Sequence, residues 1–202
     1  MPTERPQPPS KQPPLRADAR RNREKLLEVA VLAFSENGAA ASLEDIARRA
    51  GVGIGTLYRH FPTREHLVEN VYRRELELLA TTATELMAQE KADIALAEWM
   101  DRFVRYMAAK RGMASSLKLL FTSNSTLFNE GSTLLHQTFG QLLKNAIDAG
   151  VIKGDIEPAD VLNALFGIYS IPEGPDWRER AHRIVRLVMD GLRLPTAPEL
   201  SK

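Results

Sequence analysis

Cysteine is absent from the chain. That removes disulfides, thiol nucleophiles and sulfur-ligated metals together. Long apolar runs are absent as well: nothing approaches the ~20 residues that a helix needs to cross a bilayer, so no membrane partner is expected. The start, Met1-Pro2-Thr3-Glu4-Arg5, lacks the apolar centre of a secretory signal, and a cytoplasmic location is expected. The four histidines, His60, His66, His136 and His182, show no metal-ligand spacing such as H-E-x-x-H, and no serine sits in a nucleophile elbow. The expectation is therefore no catalytic residue, no metal, no cofactor and no enzymatic activity. Strand patterns are missing too, since no segment alternates convincingly between apolar and polar residues.

What remains is an ordinary globular composition, 44% hydrophobic and 26% charged over 202 residues, enough chain to bury a sizeable core. The net charge of +1 hides an asymmetry. Residues 1–25 carry seven Lys/Arg against three Asp/Glu, and the rest carry twenty against twenty-three. A basic N-terminal segment on a mildly acidic body suggests that this end meets a polyanion.

The chain divides into four parts. Residues 1–15 form a proline-rich arm expected to be disordered, with six of the twelve prolines in the first fourteen positions. Residues 16–62 read as a helix-turn-helix domain, residues 63–194 as a helical regulatory domain, and 195–202 as a tail. Helical spacing of Leu26, Ala30, Ala33 and Phe34 builds the first helix, which Asn37-Gly38 closes as a left-handed cap would. Ser42 with Asp45 three residues on caps the second, and Gly51 takes the turn after it. The third helix ends at Phe61-Pro62. Thr63 caps the fourth. Because no Gly or Pro occurs between Pro62 and Gly112, a break is expected near Lys91-Ala92-Asp93 with Asp93 as the next cap. Further helices follow Gly112, end at Gly150, open at Pro158 and restart at Asp176 after the connector Pro172-Gly174-Pro175. The predicted fold is all-α: an N-terminal three-helix DNA-binding domain with a helix-turn-helix, plus a C-terminal helical bundle for ligand binding and dimerisation.

The most informative stretch runs from Ser42 to Phe61. Two short helices joined by a glycine-bearing turn, the second with polar and aromatic residues, are how a helix-turn-helix offers a recognition helix to the major groove. At about 3.6 residues per turn, Leu57 and Phe61 pack inward while Thr56, Arg59 and His60 face out and Tyr58 lies on the flank. The phase of Ile54 places it with Leu57 and Phe61, so packing is favoured over contact with a thymine methyl. Gly53 and Gly55 allow close backbone approach, and the helix N-terminus suits a phosphate. A guanidinium such as Arg59 can fork onto guanine, a contact worth about 1–3 kcal/mol of discrimination. Tyr58, His60 and Arg64 are placed to hold the phosphate backbone. Arg20, Arg21 and Arg23 are either further backbone contacts or solvated charge.

Residues from about Arg20 to Leu67 resemble the DNA-binding region of the tetracycline-repressor family of bacterial transcription regulators. The matching residues are Ile46-Ala47, Ala50-Gly51-Val52, Gly55-Thr56-Leu57-Tyr58, His60-Phe61 and Arg64 followed by Leu67. The resemblance implies that Thr56, Tyr58 and His60 contact double-stranded DNA, that Arg64 binds phosphate, and that the operator is palindromic. Two positions depart from the family: Gly53 stands where a serine is common, and Arg64 where lysine is commoner, which keeps the charge but changes the geometry. The family's architecture also implies a homodimer through the last two helices, here with Leu162, Phe166, Ile184, Val185, Val188 and Leu192, although the same faces fit the protomer's own core. Trp99, Phe103, Tyr106, Met107, Phe121, Phe139, Phe166 and Tyr169, with Asn124 to orient a ligand, are candidates to line a pocket for an apolar or aromatic small-molecule effector. The same spacing describes a hydrophobic core. The implied function is a ligand-responsive, sequence-specific regulator of transcription, a dimeric repressor released from DNA by a small molecule. The competing reading is a helical interaction module without DNA binding.

Overall fold

The structure is a computed structural model that describes residues 14–172 and 174–194. The arm expected over 1–15, apart from its last two residues, and the tail expected over 195–202 lie outside the described residues. Within them the fold is helical throughout. Helix α1 (Pro14–Asn37) is followed by a 3-10 turn (Gly38–Ala40), α2 (Leu43–Arg49), α3 (Ile54–His60) and the long α4 (Arg64–Gln89). Then come α5 (Ala92–Gly112), α6 (Ala114–Ser123), α7 (Ser125–Asp148), α8 (Pro158–Phe166), a second 3-10 turn (Gly167–Ser170) and α9 (Trp177–Leu192).

The helix ends follow from local chemistry. Gly51 has φ +70°. Its N–H reaches the Arg48 carbonyl at 3.1 Å, and the Val52 N–H reaches that of Ala47 at 3.0 Å. This 5→2 and 6→1 pair satisfies the last carbonyls of α2, and the left-handed residue between them is cheapest as glycine. Gly150 repeats the arrangement after α7: its φ is +67°, its N–H reaches the Ile147 carbonyl at 2.9 Å, and the Val151 N–H reaches that of Ala146 at 3.1 Å. Ser42 Oγ accepts the Asp45 N–H at 3.0 Å, and Thr63 Oγ1 accepts that of His66 at 3.1 Å. One expected cap is displaced. The α5 hydrogen bonds begin at the Lys91 carbonyl, which takes the Ala95 N–H at 2.8 Å, so Asp93 stands within the first turn, where its charge still suits the helix dipole.

The body packs α5 at its centre. Trp99, Phe103 and Met100 are fully enclosed beneath α1, α4, α7 and α9. Full burial of such side chains stabilises by about 1.5–3 kcal/mol each. Trp99 stacks on Phe103 with ring centroids 5.7 Å apart and meets Phe139 at 5.4 Å, and its indole N–H donates to the Leu79 carbonyl at 2.9 Å. The first three helices form a small reading head around Leu26, Phe34, Ile46, Leu57 and Phe61. The head docks through main chain: a Cβ built on Gly112 at the end of α5 would stand 1.8 Å from the Phe34 carbonyl oxygen of α1. Only glycine fits there. After α7, Ile152 pairs with Arg193 and the Lys153 amine donates to the Gly191 carbonyl at 2.7 Å, which ties the end of α9 to the body.

Candidate nucleic-acid interface and regulatory cavity

Helix α3 is amphipathic in a way that separates its residues into three strips. Leu57 and, just beyond the helix, Phe61 are wholly buried. Thr56 and His60, one turn apart, are half-buried at the margin, and Gly55 and Arg59 are exposed. Tyr58 is 44% exposed and Ile54 39%. The outward stripe is thus Ile54-Gly55-Tyr58-Arg59, not the Thr56-Arg59-His60 set expected. Ile54 does not join the core, because it is the first residue of the helix and its side chain projects ahead of the turn that carries Leu57.

Gly53 precedes the helix with no side-chain cap bond, as the absence of a serine hydroxyl implied. The glycines at 53 and 55 have negative φ, and a Cβ at either position would meet no other atom within 4 Å. Neither the backbone conformation nor the packing of this chain requires glycine there. The free space lies outward, above the exposed stripe, where another molecule could come within backbone distance.

The basic residues around this head fall into two groups. Arg20, Arg21 and Arg59 are exposed, with Arg21 paired to Asp18 along α1. Ser42 is also exposed, its oxygen occupied as acceptor but its hydroxyl hydrogen available. Arg23 and Arg64 point inward. Arg23 lies over the Phe61 ring at 5.3 Å and donates to Asn70 Oδ1, tying α1 to α4. Arg64 lies over the Phe34 ring at 5.1 Å, and its two terminal nitrogens donate to the carbonyls of Ala41 at 2.5 Å and Ala39 at 3.2 Å. Those carbonyls belong to the 3-10 turn and the residue after it, and a planar fork brings a separate nitrogen to each where a lysine has a single nitrogen to share. In the protomer Arg64 and Arg23 thus brace the head internally, Arg64 through main-chain carbonyls and Arg23 through Asn70.

The expected ligand residues do not form one lining. Trp99, Phe103, Met107 and Phe139 are buried in the core, with Trp99 against both Phe103 and Phe139. Asn124 caps α7, its Oδ1 accepting the Leu127 N–H at 3.2 Å. Phe121 and Tyr169 do line a cavity of about 390 Å³ with Lys110, Leu117, Lys118 and Thr122. Phe166 and Tyr106 lie under it, each ring 5.7 Å from the Lys110 amine. Burial lowers the pKa of that amine. Lys110 had escaped notice, yet it recurs in phase with Phe103 and Tyr106, and a lysine on an apolar helical face is the signal that would have found it. Deeper in, burial raises the Tyr72 phenol and pushes that of Tyr106 well above its usual range, with Tyr72 and Glu75 adding to the effect on Tyr106. Glu75 is buried, and desolvation raises its carboxyl despite the neighbouring Arg74.

At the far end of the body, Leu162, Val185 and Leu192 are buried in the protomer and are unavailable to a partner as the fold stands. They satisfy the core rather than an interface. Ile184, Val188 and Phe166 are half-buried. Leu187 is 72% exposed and lines, with Val188, Gly191, Ala164 and Asp160, an open recess of about 390 Å³ between α8 and α9. Among the described residues, no helix is long and apolar enough to cross a membrane.

Comparison with known proteins agrees with this geometry. Residues 26–71 match the family model described as bacterial regulatory proteins, tetR family, and residues 91–194 match that of the C-terminal domain of SbtR-like transcriptional regulators. A TetR transcriptional regulator from Streptomyces coelicolor is 44% identical, with a TM-score of 0.77 over 87% of this chain and 99% of that one. A TetR regulator from Mycobacterium vanbaalenii is 36% identical, with a TM-score of 0.70 over 90% and 100%. An HTH-type transcriptional regulator of Staphylococcus aureus is 40% identical over 68 residues, a match spanning 33% of this chain and 37% of that protein.

Proposed function

Because the chain belongs to the tetR family of bacterial regulatory proteins, we propose that it is a sequence-specific, dimeric DNA-binding repressor in the cytoplasm whose hold on a palindromic operator is loosened by a small molecule. One observation carries the reading: an exposed stripe of Ile54, Gly55, Tyr58 and Arg59 on a helix whose opposite side is wholly buried, with open space above two glycines. In this reading Arg59 forks onto a base edge, Tyr58 and His60 hold phosphates, Thr56 and Ile54 contact the groove wall, and Gly53 and Gly55 let the backbone come close. Ser42, Arg20 and Arg21 extend the contact along the backbone.

A second copy would pack on the recess between α8 and α9, covering Leu187. The pair of α3 helices would then address major-groove faces roughly 34 Å apart. The effector would enter the cavity of Lys110, Phe121 and Tyr169, where the desolvated amine favours a ligand that offers an acceptor beside its apolar or aromatic body.

The test is binding of the full chain to genomic duplex across a salt series. The expected result is an affinity that falls steeply with salt and, in the Arg59→Ala variant, relaxed preference at one base position per half-site. An affinity that is absent, or indifferent to salt at every concentration, would leave a helical interaction module instead.

A further inference from the structure

A second cavity, of about 320 Å³, lies away from the Lys110 site, in the seam between the reading head and the body. Its α1 wall includes Val31 and Leu32, its α4 wall Leu78 and Leu79, and its far rim Arg102 and Arg105 of α5 with Arg178 of α9. Two leucines stand unusually open here: Leu32 is 52% exposed and Leu78 46%. The charges are unbalanced. Four arginines face two glutamates, Glu28 and Glu75, and both glutamates are already paired with Arg74. That leaves Arg102, Arg105 and Arg178 without an ion-pair partner among the described residues. Three such guanidinium groups beside open apolar surface give the seam a positive potential, and each offers a fork that matches a carboxylate or phosphate.

We propose that this seam is a binding site for a small amphipathic anion, an alkyl or aryl carboxylate whose apolar body lies on Leu32 and Leu78 and whose head is held by Arg102, Arg105 and Arg178. The volume falls at the small end of the range known for ligand sites. The site differs from the effector cavity in position and in donor set: guanidinium groups on a rim rather than a desolvated amine. Its walls belong to both the head and the body, so an occupant bridges the two. The site does not depend on the DNA-binding reading, and its test needs no DNA.

Titration calorimetry of the full chain would use octanoate, 1-octanol and inorganic phosphate as probes. Octanoate is expected to bind, and octanol and phosphate at least about tenfold more weakly, because each lacks one half of the recognition. The double variant Arg102→Ala/Arg105→Ala should weaken octanoate by about tenfold or more with its melting temperature kept, since both side chains are exposed. Lys110→Met should leave octanoate binding as it was. Leu78→Asp gives an independent check, a carboxylate on the floor that repels the ligand. The proposal is overturned by any of three results: no octanoate binding to the unaltered chain, binding indifferent to both the arginine pair and Leu78→Asp, or binding lost in Lys110→Met, which would move the ligand to the effector cavity.

Discussion

Replacing Gly112 by alanine tests how the head is held to the body. The added methyl carbon would stand 1.8 Å from the Phe34 carbonyl oxygen and 2.5 Å from its carbon. Relaxing from 1.8 Å to an ordinary contact of 3.4 Å requires 1.6 Å of separation. No side chain can swing away to supply it, because the obstructing atoms are main chain in the middle of a helical turn. Either α1 lifts from α5 or the last turn of α5 unwinds. Overpacking of this kind costs about 1–3 kcal/mol, and the upper end applies when the partner is backbone. Alanine's better helix propensity, worth about 1 kcal/mol in a helix interior, offsets little at the final residue of α5. A net loss of about 2 kcal/mol corresponds to a melting temperature lower by roughly 4–8 °C for a chain of this size. Circular dichroism melts of the two proteins measure it. Operator affinity should also fall at temperatures where the variant is fully folded, since α1 carries the other two head helices with it. A variant that melts within about a degree of the original and binds DNA equally would refute the reasoning.

Other substitutions separate fold from function. Gly55→Ala meets no atom within 4 Å and should leave stability unchanged or raise it by about 0.5–1 kcal/mol, yet reduce operator affinity at least about tenfold by closing the approach above the stripe; denaturant titration and DNA titration on one preparation decide it, and unchanged affinity refutes the close approach. Arg64→Lys should cost about 1–2 kcal/mol in urea unfolding as one of two carbonyls loses its donor, with the salt slope of DNA binding unaltered. A slope reduced by about one charge would instead return Arg64 to phosphate duty. For Glu75 the folded pKa is raised above its ordinary 4.5, so the folded state holds more protons than the unfolded one. Stability should fall as pH climbs past that ordinary value and level off above the raised folded one. Melts across this window should show the slope, and Glu75→Gln should remove it.

Where helices stop was legible in the chain because stopping is local chemistry. Gly38, Gly51 and Gly150, the three glycines with positive φ, include the ends expected at Asn37-Gly38, Gly51 and Gly150. Ser42, Thr63 and Pro158 sit where their side chains or rings predicted. Periodicity also found the buried side of α3. It could not say what a buried face is buried against. Leu162, Val185 and Leu192 carry the same phase whether they meet their own core or a partner, and only the packed protomer assigns them inward. Leu187 was missed for the complementary reason, since it lies off the densest apolar stripe of α9 and draws notice only once the rest of that stripe is used up. Long cations are equally opaque to spacing. Arg23, Arg59 and Arg64 look alike in a sequence, and the difference is whether a ring and an unsatisfied carbonyl lie within reach: Phe34 with Ala39 and Ala41 for Arg64, Phe61 with Asn70 for Arg23, and neither beside Arg59.

Two of the connections between head and body differ in stiffness, and that difference bears on how an effector would act. Arg74 of α4 reaches Glu24 at 3.2 Å and Glu28 at 3.4 Å on α1. Both glutamates are more than half exposed, so each pair is worth at most about 1 kcal/mol and is screened by salt. These ties can exchange partners at little cost. The seat of Gly112 on Phe34 cannot, because close-packed main chain has no nearby alternative arrangement. A shift at the end of α5 therefore bears directly on α1, whereas the Arg74 pairs can yield to a shift of that part of α4. Lys110, which lines the cavity proposed for the effector, stands two residues before Gly112. A ligand that draws on its amine acts within one turn of the stiff joint, and it changes head separation to the extent that it binds the displaced position of that turn more tightly. On this account Gly112 is the residue through which occupancy would reach the DNA, and a variant that loosens it should lose the ligand response together with stability.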